Sequence, residues 1–209
     1  MSDIQNININ KFELKLTDTD DPVAQKVSWE PAKSGGANFK TQKIEISAEK
    51  VVVKKTLGMI LFGLVFFLPG LGGLLIGAPY NFINGDEGAG FFFILWGAGF
   101  GGAGLAMLYF TKPFTIDKMR GVFYRGKKYN SNPTGKKKTQ GLLVEIHAIQ
   151  LLSERVQSKN NNYTSYELNL VFKDGNRMNI MDHGNGKDIE EAAKKLGQML
   201  KVPIWQASY

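Results

Sequence analysis

The chain has 209 residues, of which 43% are hydrophobic and 22% are charged, with 26 Lys and Arg residues against 19 Asp and Glu residues. It contains no cysteine, which excludes disulfide bonds and zinc sites built on thiolates. The average composition conceals an uneven distribution of charge, because residues 56–85 and 88–111 contain no Asp, Glu, Lys or Arg. The sequence therefore divides into two apolar stretches and the polar segments that flank them.

The polar N-terminal segment, residues 1–55, contains short stretches with strand character. Strands are predicted at residues 12–16, 38–47 and 49–53. The first two could join a sheet formed by the C-terminal part of the chain. The sequence leaves open whether the apolar stretches are inserted into one antiparallel β domain or precede it.

Residues 56–80 and 89–111 are predicted to form two transmembrane helices. At about 1.5 Å of rise per residue, each helix covers a hydrocarbon core of about 30 Å. Neither stretch has a polar face, which disfavours a pair of helices buried in a soluble core. The linker at residues 81–88 contains the turn formers Asn84 and Gly85, so the two helices are expected to form an antiparallel hairpin.

The charges at the ends of the apolar stretches predict the orientation of this hairpin. The linker carries Asp86 and Glu87 and no cation. The opposite ends of the two stretches carry the cations Lys50, Lys54, Lys55, Lys112, Lys118 and Arg120. By the positive-inside rule, both termini of the chain are expected to be cytoplasmic.

Glycines are concentrated in the hairpin, where 14 of the chain's 24 lie between Gly58 and Gly104. They form one stripe on each helix, and stripes of small residues let helix backbones approach closely. The predicted helix-packing residues are Gly70, Gly73, Gly77, Gly97, Gly101 and Gly104. Packing of the hairpin against itself explains the stripes, and an additional role in homo-oligomerisation stays open. Pro69 is expected to kink the first helix.

A basic segment, residues 112–138, follows the second apolar stretch. Its cations are opposed only by Asp117 and are Lys112, Lys118, Arg120, Arg125, Lys127, Lys128, Lys136, Lys137 and Lys138. Cations next to a bilayer attract anionic headgroups, at about 1 kcal/mol per residue. The segment is therefore either a headgroup-binding surface or only the signal that sets the topology. Nucleic acid binding is not expected, because no recognition helix or RNA-binding signature accompanies the cations.

Beyond the hairpin the pattern changes to short segments rich in β-forming residues. Strands are predicted at residues 114–117, 121–127, 142–152, 163–173 and 177–182. Asp174, Gly175 and Asn176 predict a tight β-hairpin between the last two strands. In residues 163–173 apolar side chains alternate with polar ones such as Glu167 and Asn169. This alternation predicts a sheet with one buried face and one exposed face.

A helix at residues 187–202 is predicted to close the chain. Asp188 and Glu191 fit a capping box at its start, and Pro203 ends it. Its buried stripe is predicted to consist of Ile189, Ala193, Leu196 and Leu200. Five strands followed by one amphipathic helix predict an α+β protein in which residues 112–209 form a mainly antiparallel, pleckstrin-homology-like half-barrel.

Three segments carry a resemblance to a known family: IDKMRGVF at 116–123, IHAIQL at 146–151 and AKKLGQMLKVPI at 193–204. With the preceding hairpin, they resemble the photosystem I assembly protein family of plastids and cyanobacteria. The chain is also similar to bacterial membrane proteins that carry a pleckstrin-homology-like domain. The resemblance implies an integral protein of the bacterial inner membrane and a non-enzymatic scaffold for membrane proteins. The long polar N-terminus departs from the photosynthetic members.

No catalytic residue, metal site or cofactor is predicted. His147 and His183 lack the spacing of metal ligands, and the Gly-containing turn at 185–187 lacks the pattern of a phosphate-binding loop. The leading hypothesis is a non-catalytic membrane protein whose cytoplasmic domain binds a membrane or cytoplasmic protein. The alternative is a sensor of anionic lipid or of another signal at the membrane surface, which would use the basic segment.

Overall fold

The computed structural model describes residues 6–9, 12–15, 21–32, 40–131, 139–157 and 162–208. The chain forms two compact units. One unit, which we call the β domain, combines Met1–Lys54 with Pro113–Tyr209. The other, Lys55–Lys112, is the helical hairpin. The hairpin is thus inserted into the sequence of the β domain, which is one of the two arrangements that the sequence left open.

The described residues contain eleven strands and four α-helices. In chain order these are β1 (Asn6–Ile9), β2 (Phe12–Lys15), β3 (Gln42–Ile46), β4 (Lys50–Lys55), α1 (Leu57–Gly72), α2 (Ala78–Ile83), α3 (Glu87–Tyr109), β5 (Phe114–Asp117), β6 (Val122–Arg125), β7 (Gln140–Leu142), β8 (Ile146–Gln157), β9 (Asn162–Phe172), β10 (Arg177–His183), α4 (Gly186–Leu200) and β11 (Ile204–Ser208). The protein is therefore of the α+β class, as predicted.

The larger sheet of the β domain has six strands in the order β1-β2-β11-β8-β9-β10. Its neighbouring strands are antiparallel except β11 and β8, which run parallel. The predicted hairpin between β9 and β10 is confirmed. Gly175 adopts a φ of 82° in this turn, and the Asp174 carboxylate accepts a hydrogen bond from the backbone N–H of Asn176 at 3.0 Å.

The smaller sheet has five strands in the order β3-β4-β5-β6-β7. Within it, β4 pairs antiparallel with β5, so that Lys50 lies opposite Asp117 and Val53 lies opposite Phe114. Strands from the N-terminal segment thus enter both sheets, β1 and β2 in the larger and β3 and β4 in the smaller. The two connections to the helical hairpin leave from adjacent strands at the same end of this sheet.

One hydrophobic core unites both sheets and α4. Val51 and Phe123 contribute to it from the smaller sheet, Leu168 from the larger sheet and Leu196 from α4, and all four are fully buried. The rings of Phe123 and Phe172 stack at a centroid distance of 5.4 Å across the core. Each buried side chain of this size stabilises the fold by about 1.5 to 3 kcal/mol relative to exposure.

The opposite face of the larger sheet is covered by residues 21–32, which we call the strap. Ala24 and Val27 of the strap are buried against Leu152, Val171 and Trp205 of the sheet. The prediction that one face of β9 is exposed is therefore wrong, because Glu167 is 7% exposed and Asn169 is 0% exposed. The strap is far from β9 in sequence, so the alternation within β9 could not reveal its cover.

The buried stripe of α4 is confirmed, because Ile189, Ala193 and Leu196 are buried in the main core and Leu200 packs against it. The predicted capping box is wrong. Asn185 caps the helix instead, and its side-chain oxygen accepts hydrogen bonds from the backbone N–H groups of residues 187 and 188. The helix ends at Leu200, and the capping residue after it, Lys201, adopts a left-handed φ of 56°. It is not the last element, because β11 follows it and returns to the larger sheet.

In the helical hairpin, α1 and α2 are joined by a π-helical turn, Gly73–Gly77, and together form one continuous helical span, Leu57–Ile83, with Pro69 inside it. The N–H of Ala78 donates to the carbonyl of Gly73, five residues earlier, and Pro79 next to it has no N–H with which to continue the ladder. The second helix, α3, begins earlier than predicted because the Asp86 carboxylate accepts a hydrogen bond from the N–H of Ala89 at 3.0 Å.

Candidate functional site

The helical hairpin presents apolar side chains on its outer surface. Ile76 is 72% exposed and Leu95 is 75% exposed. The helices Leu57–Ile83 and Glu87–Tyr109 are long and apolar enough to cross a membrane. Tyr80 and Tyr109 are also exposed, one near the linker and one at the other end of α3. An outward apolar surface with tyrosines near its ends is typical of helices that face lipid.

Glycines form the inner seam of the hairpin, where the backbones of α1 and α3 meet. A methyl group placed on Gly70 would overlap the backbone nitrogen of Gly101, and one on Gly97 would lie 2.7 Å from the carbonyl oxygen of Gly70. A methyl group on Gly104 would overlap the backbone nitrogen of Phe67. These glycines are required by close approach of two main chains.

At the other three predicted packing glycines, an added methyl group would meet a side chain or would lie at ordinary contact distance from the facing helix. A methyl group on Gly73 would lie 3.1 Å from the ring of Trp96, and one on Gly77 would lie 2.8 Å from the ring of Phe93. One on Gly101 would find its nearest atom, the Gly70 carbonyl carbon, at 3.5 Å. The predicted stripe therefore contains three positions where an added methyl group would overlap the main chain of the facing helix, Gly70, Gly97 and Gly104, and three that tolerate more adjustment.

The basic segment does not form one continuous patch, because β5 and β6 pair antiparallel and separate its cations. Lys127 and Lys128 are exposed and follow Gly126, whose N–H donates to the carbonyl of Pro113 at 2.8 Å. They therefore lie at the end of β5 that follows Lys112. Lys118 and Arg120 are exposed in the turn at the opposite end of β5. Lys136, Lys137 and Lys138 lie outside the described residues.

Arg125, another predicted headgroup contact, is engaged within the β domain. Its guanidinium donates to the carbonyl of Asn179 at 2.5 Å and lies 5.8 Å from the ring centroid of Phe114. Burial lowers the pKa of Arg125, and the nearby Asp182 carboxylate acts in the opposite direction. Its side chain therefore links the two sheets and is less available to a ligand than the exposed lysines.

A buried polar cluster lies beneath the strap and was not predicted. The Gln150 amide donates to the carbonyl of Ser28 at 3.0 Å, and the Glu167 carboxylate accepts from the N–H of Ala32 at 2.9 Å. A guanidinium nitrogen of Arg177 lies 3.8 Å from Glu167. Gln150 and Glu167 thus bind main-chain groups of Ser28 and Ala32, which holds the C-terminal part of the strap on the sheet independently of the side chains at these two positions.

Asn169 lies at the centre of this cluster. Its amide nitrogen donates to Gln150 at 3.1 Å and to Glu167 at 2.7 Å. Its amide oxygen and the indole nitrogen of Trp205 are the two buried polar side-chain atoms in the described residues that have no hydrogen-bond partner. The only sequence signal for the cluster is the apolar content of the strap, with Val23, Val27 and Trp29.

The two histidines occupy different surroundings. His147 lies 2.6 Å from the Asp21 carboxylate and 5.7 Å, between ring centroids, from Trp205. His183 is buried and accepts a hydrogen bond from the N–H of Asn185 at 3.0 Å. Each histidine thus ties a loop to the larger sheet. In the described part of the chain, no three His, Asp or Glu side chains are grouped as metal ligands would be.

The chain matches no protein-family model, no curated protein and no solved structure. Its functional interpretation therefore depends on its own sequence and geometry.

Proposed function

We propose that this chain is a membrane-anchored, non-catalytic binding module. Its hairpin spans a bilayer, and its β domain docks a protein partner during assembly of a membrane complex. The observation that carries the proposal is the insertion of the hairpin between the paired strands β4 and β5. Such an insertion gives the domain two covalent links to the membrane, which suits a scaffold that holds a partner at the bilayer surface.

The membrane part of the proposal is supported by the exposed apolar surface of the hairpin and by its flanking charges. Asp86 and Glu87 lie in the linker between the two helices. The cations lie away from the linker: Lys112 follows α3 in the chain, and the exposed Lys127 and Lys128 lie at the end of β5 that follows Lys112. The positive-inside rule then places both termini in the cytoplasm. The resemblance to bacterial proteins favours the bacterial inner membrane.

The β domain is proposed to be a variant of the pleckstrin-homology-like fold. Support comes from the meander of β8, β9 and β10, which α4 follows and packs against. The domain would differ from a simple half-barrel by its N-terminal strands and by β11, which pairs parallel with β8. The resemblance to the photosystem I assembly protein family supports a role in assembly, although fold alone does not specify function.

The alternative function is a sensor of anionic lipid at the membrane surface. It is favoured by the exposure of Lys118, Arg120, Lys127 and Lys128. A sensor of this kind should bind anionic vesicles with a steep dependence on salt, because exposed charges are screened over about 10 Å at 0.1 M ionic strength. A protein-docking scaffold should not share this dependence.

Purification from membranes in a mild detergent tests the proposed function. The full chain is expected to resist extraction by alkaline carbonate and to co-purify with a membrane complex, and that complex should in turn recover the chain when one of its own subunits is tagged. Leu196→Asp, which is expected to unfold the β domain, should abolish recovery while the hairpin stays in the membrane. Recovery that survives this substitution would show that the β domain does not dock the partner.

A further inference from the structure

The larger sheet carries buried polar side chains on the face that the strap covers. Gln150 and Asn169 are 0% exposed, and Glu167 is 7% exposed. Burying polar groups costs free energy that their hydrogen bonds only offset, and apolar side chains of the same shape can serve equally well in a structural contact. A purely structural role of the strap as a cover therefore does not explain why this face is polar.

The polar face binds the main chain of the strap. Its contacts fall on every second residue and are made to the carbonyl of Ser28, the carbonyl of Glu30 and the N–H of Ala32. The sheet side chains that make them are, in the same order, Gln150, Arg177 and Glu167. An extended peptide offers its main-chain groups along one edge at this same repeat. The contacts are thus of the kind by which proteins bind peptide segments.

The strap leaves part of this polar face unsatisfied. The side-chain oxygen of Asn169 and the indole nitrogen of Trp205 are buried without a hydrogen-bond partner among the described residues. Trp205 lies opposite Gln150, which lies opposite Asn169, so the two atoms belong to one row across three strands. One is an acceptor and the other is a donor, which are the complements of a peptide N–H and a peptide C=O. Folded proteins leave few such atoms unpaired, so the strap is an incomplete match for this face.

Removal of the strap would leave the rest of the β domain paired and packed. The strap belongs to neither sheet, and the buried side chains of the main core come from the two sheets and α4. Its own buried apolar side chains are Ala24 and Val27. Its N-terminal end is held by a contact of 2.6 Å between Asp21 and His147. A segment attached in this way can exchange with a competing segment while the main core stays folded.

We propose that the face of the larger sheet beneath the strap is the docking site of the β domain, and that it takes an apolar peptide segment of the protein partner in place of the strap. The partner's segment is bound through its main chain and supplies the N–H and the C=O that Asn169 and Trp205 lack. The strap closes the site until such a segment competes with it. This inference rests on the protein-docking role in the proposed function and deepens it by naming the surface and the chemistry of the partner.

Binding of the strap's own sequence in trans tests whether the site exchanges its occupant. The probe is a fluorescein-labelled synthetic peptide of residues 21–32, and its anisotropy is measured with the full chain in detergent. Val27→Asp weakens the seating of the strap because Val27 is 5% exposed, whereas Gln25→Asp places the same charge at an exposed position. The strap competes with the probe in the parent chain, so Val27→Asp is expected to bind the probe at least about tenfold more tightly. Gln25→Asp should match the parent chain.

Equal affinity of the parent chain and a folded Val27→Asp variant would overturn the inference. Protease resistance of the β domain checks that the variant is folded. If Val27→Asp unfolds the domain, Asp21→Asn takes its place, because it removes only the contact with His147 at the end of the strap. This variant is expected to bind the probe more tightly than the parent chain by a smaller factor, and equal affinity there would overturn the inference as well.

Competition with the partner separates this inference from the proposed function. Val27→Asp should recover several-fold more of the membrane complex than the parent chain, and excess unlabelled peptide of residues 21–32 should release that complex. A complex recovered equally by both chains and unaffected by the peptide would show that the partner docks elsewhere, so that the proposed function stands and the inference is wrong. If no complex is recovered and the probe binds as expected, the proposed function fails while exchange of the strap stands. Two differently tagged copies that co-purify and are separated by the peptide would assign the site to a second copy and overturn the choice of partner.

Discussion

Val53 and Phe114 lie opposite each other in paired antiparallel strands, although the entire helical hairpin separates them in the chain. Both side chains are buried in the main core, at 0% and 1% exposure. The smaller sheet can therefore form only when the two ends of the hairpin come together. Closing so long a loop costs conformational entropy, which the antiparallel pairing of the two helices reduces.

This pairing also constrains the topology of the chain. Because β4 and β5 are neighbours, the two ends of the hairpin lie on one side of any membrane that it crosses. A cysteine at position 84, in the linker, and one at position 173, in the β domain, should therefore react on opposite sides. In intact cells, a membrane-impermeant maleimide is expected to label Asn84→Cys and not Lys173→Cys, and permeabilisation should make both reactive.

Labelling of Lys173→Cys in intact cells would reverse the predicted orientation and contradict the use of the flanking cations as an inward signal. Equal labelling of both variants would contradict the crossing itself. Position 173 is suitable because its side chain is exposed. The parent chain supplies the unlabelled background, since it has no cysteine.

The glycine seam predicts a position-specific effect of a single methyl group. Gly70→Ala places this group onto the backbone of Gly101, whereas Gly72→Ala, one half-turn away, meets nothing within 4 Å. Gly70→Ala is expected to destabilise the hairpin by about 1 to 3 kcal/mol, as overpacking does elsewhere. Gly72→Ala should be neutral or slightly stabilising, because alanine is the better helix former.

Thermal unfolding in detergent, followed by loss of protease resistance of the hairpin, measures this difference. Gly104→Ala and Gly102→Ala form a second matched pair on the facing helix, since only the first of them meets the other backbone. If both members of each pair unfold at the same temperature, the two helices do not approach as closely as the seam requires.

The sequence was sufficient to predict elements whose pattern is local. The apolar helices, the β9–β10 turn at Gly175 and the buried stripe of α4 each depend on residues close together in the chain. The cover of Asn169 by the strap and the pairing of β11 with β8 depend on segments that are distant in sequence, so no local period could indicate them. The start of α4 was misplaced because both Asn185 and Asp188 are residues that cap helices.

The candidate sites also divide into features that local sequence patterns predict and features that depend on pairing between strands or helices. The glycine stripes were predictable because their spacing follows the helical repeat, and the geometry then distinguishes Gly70 from Gly101 within them. The basic segment resembles one patch in the sequence because its cations all lie within residues 112–138. Only the pairing of β5 with β6 separates Lys118 from Lys127, and this pairing is not visible in charge alone.

Glu167 is buried and lies 3.8 Å from the partly exposed guanidinium of Arg177, so the free energy of unfolding is expected to depend on both partners. Arg177→Met removes the cation and leaves the carboxylate of Glu167 buried, which should cost about 3 kcal/mol or more of the free energy of unfolding. The double variant Glu167→Gln with Arg177→Met should recover much of this loss. The ring of Trp29, in the strap, lies 5.8 Å between centroids from that of Trp205 in the larger sheet, so the fluorescence of this pair reports detachment of the strap during unfolding. Additive losses in the double variant would show that the pair is not coupled.

Protonation of Asp21 should loosen the strap. Burial acts to raise the pKa of Asp21, but hydrogen bonds from His147 and from the N–H of Val23 outweigh it, and the pKa lies below its usual value of 3.8. The folded state thus prefers the carboxylate, so this contribution to stability is complete above the usual pKa and is lost as pH falls through the lowered one. Asp21→Asn is expected to lower the unfolding temperature at neutral pH and to match the parent chain in strong acid. A constant difference between the two at every pH would contradict this role.

The last prediction concerns α4, whose packing supports the core of the β domain. Leu196 is 0% exposed, and Leu196→Asp places an unpaired charge among apolar side chains, which should cost more than about 4 kcal/mol and unfold the domain. Lys195→Asp, on the adjacent exposed position, loses the ion pair with Glu191 and should cost about 0.5 kcal/mol. In membrane-bound protein, limited proteolysis should cleave the β domain rapidly in the first variant and slowly in the second, while the hairpin stays inserted in both. If the Leu196 variant resists protease as well as the parent chain, α4 is peripheral and the common core of the two sheets does not depend on it.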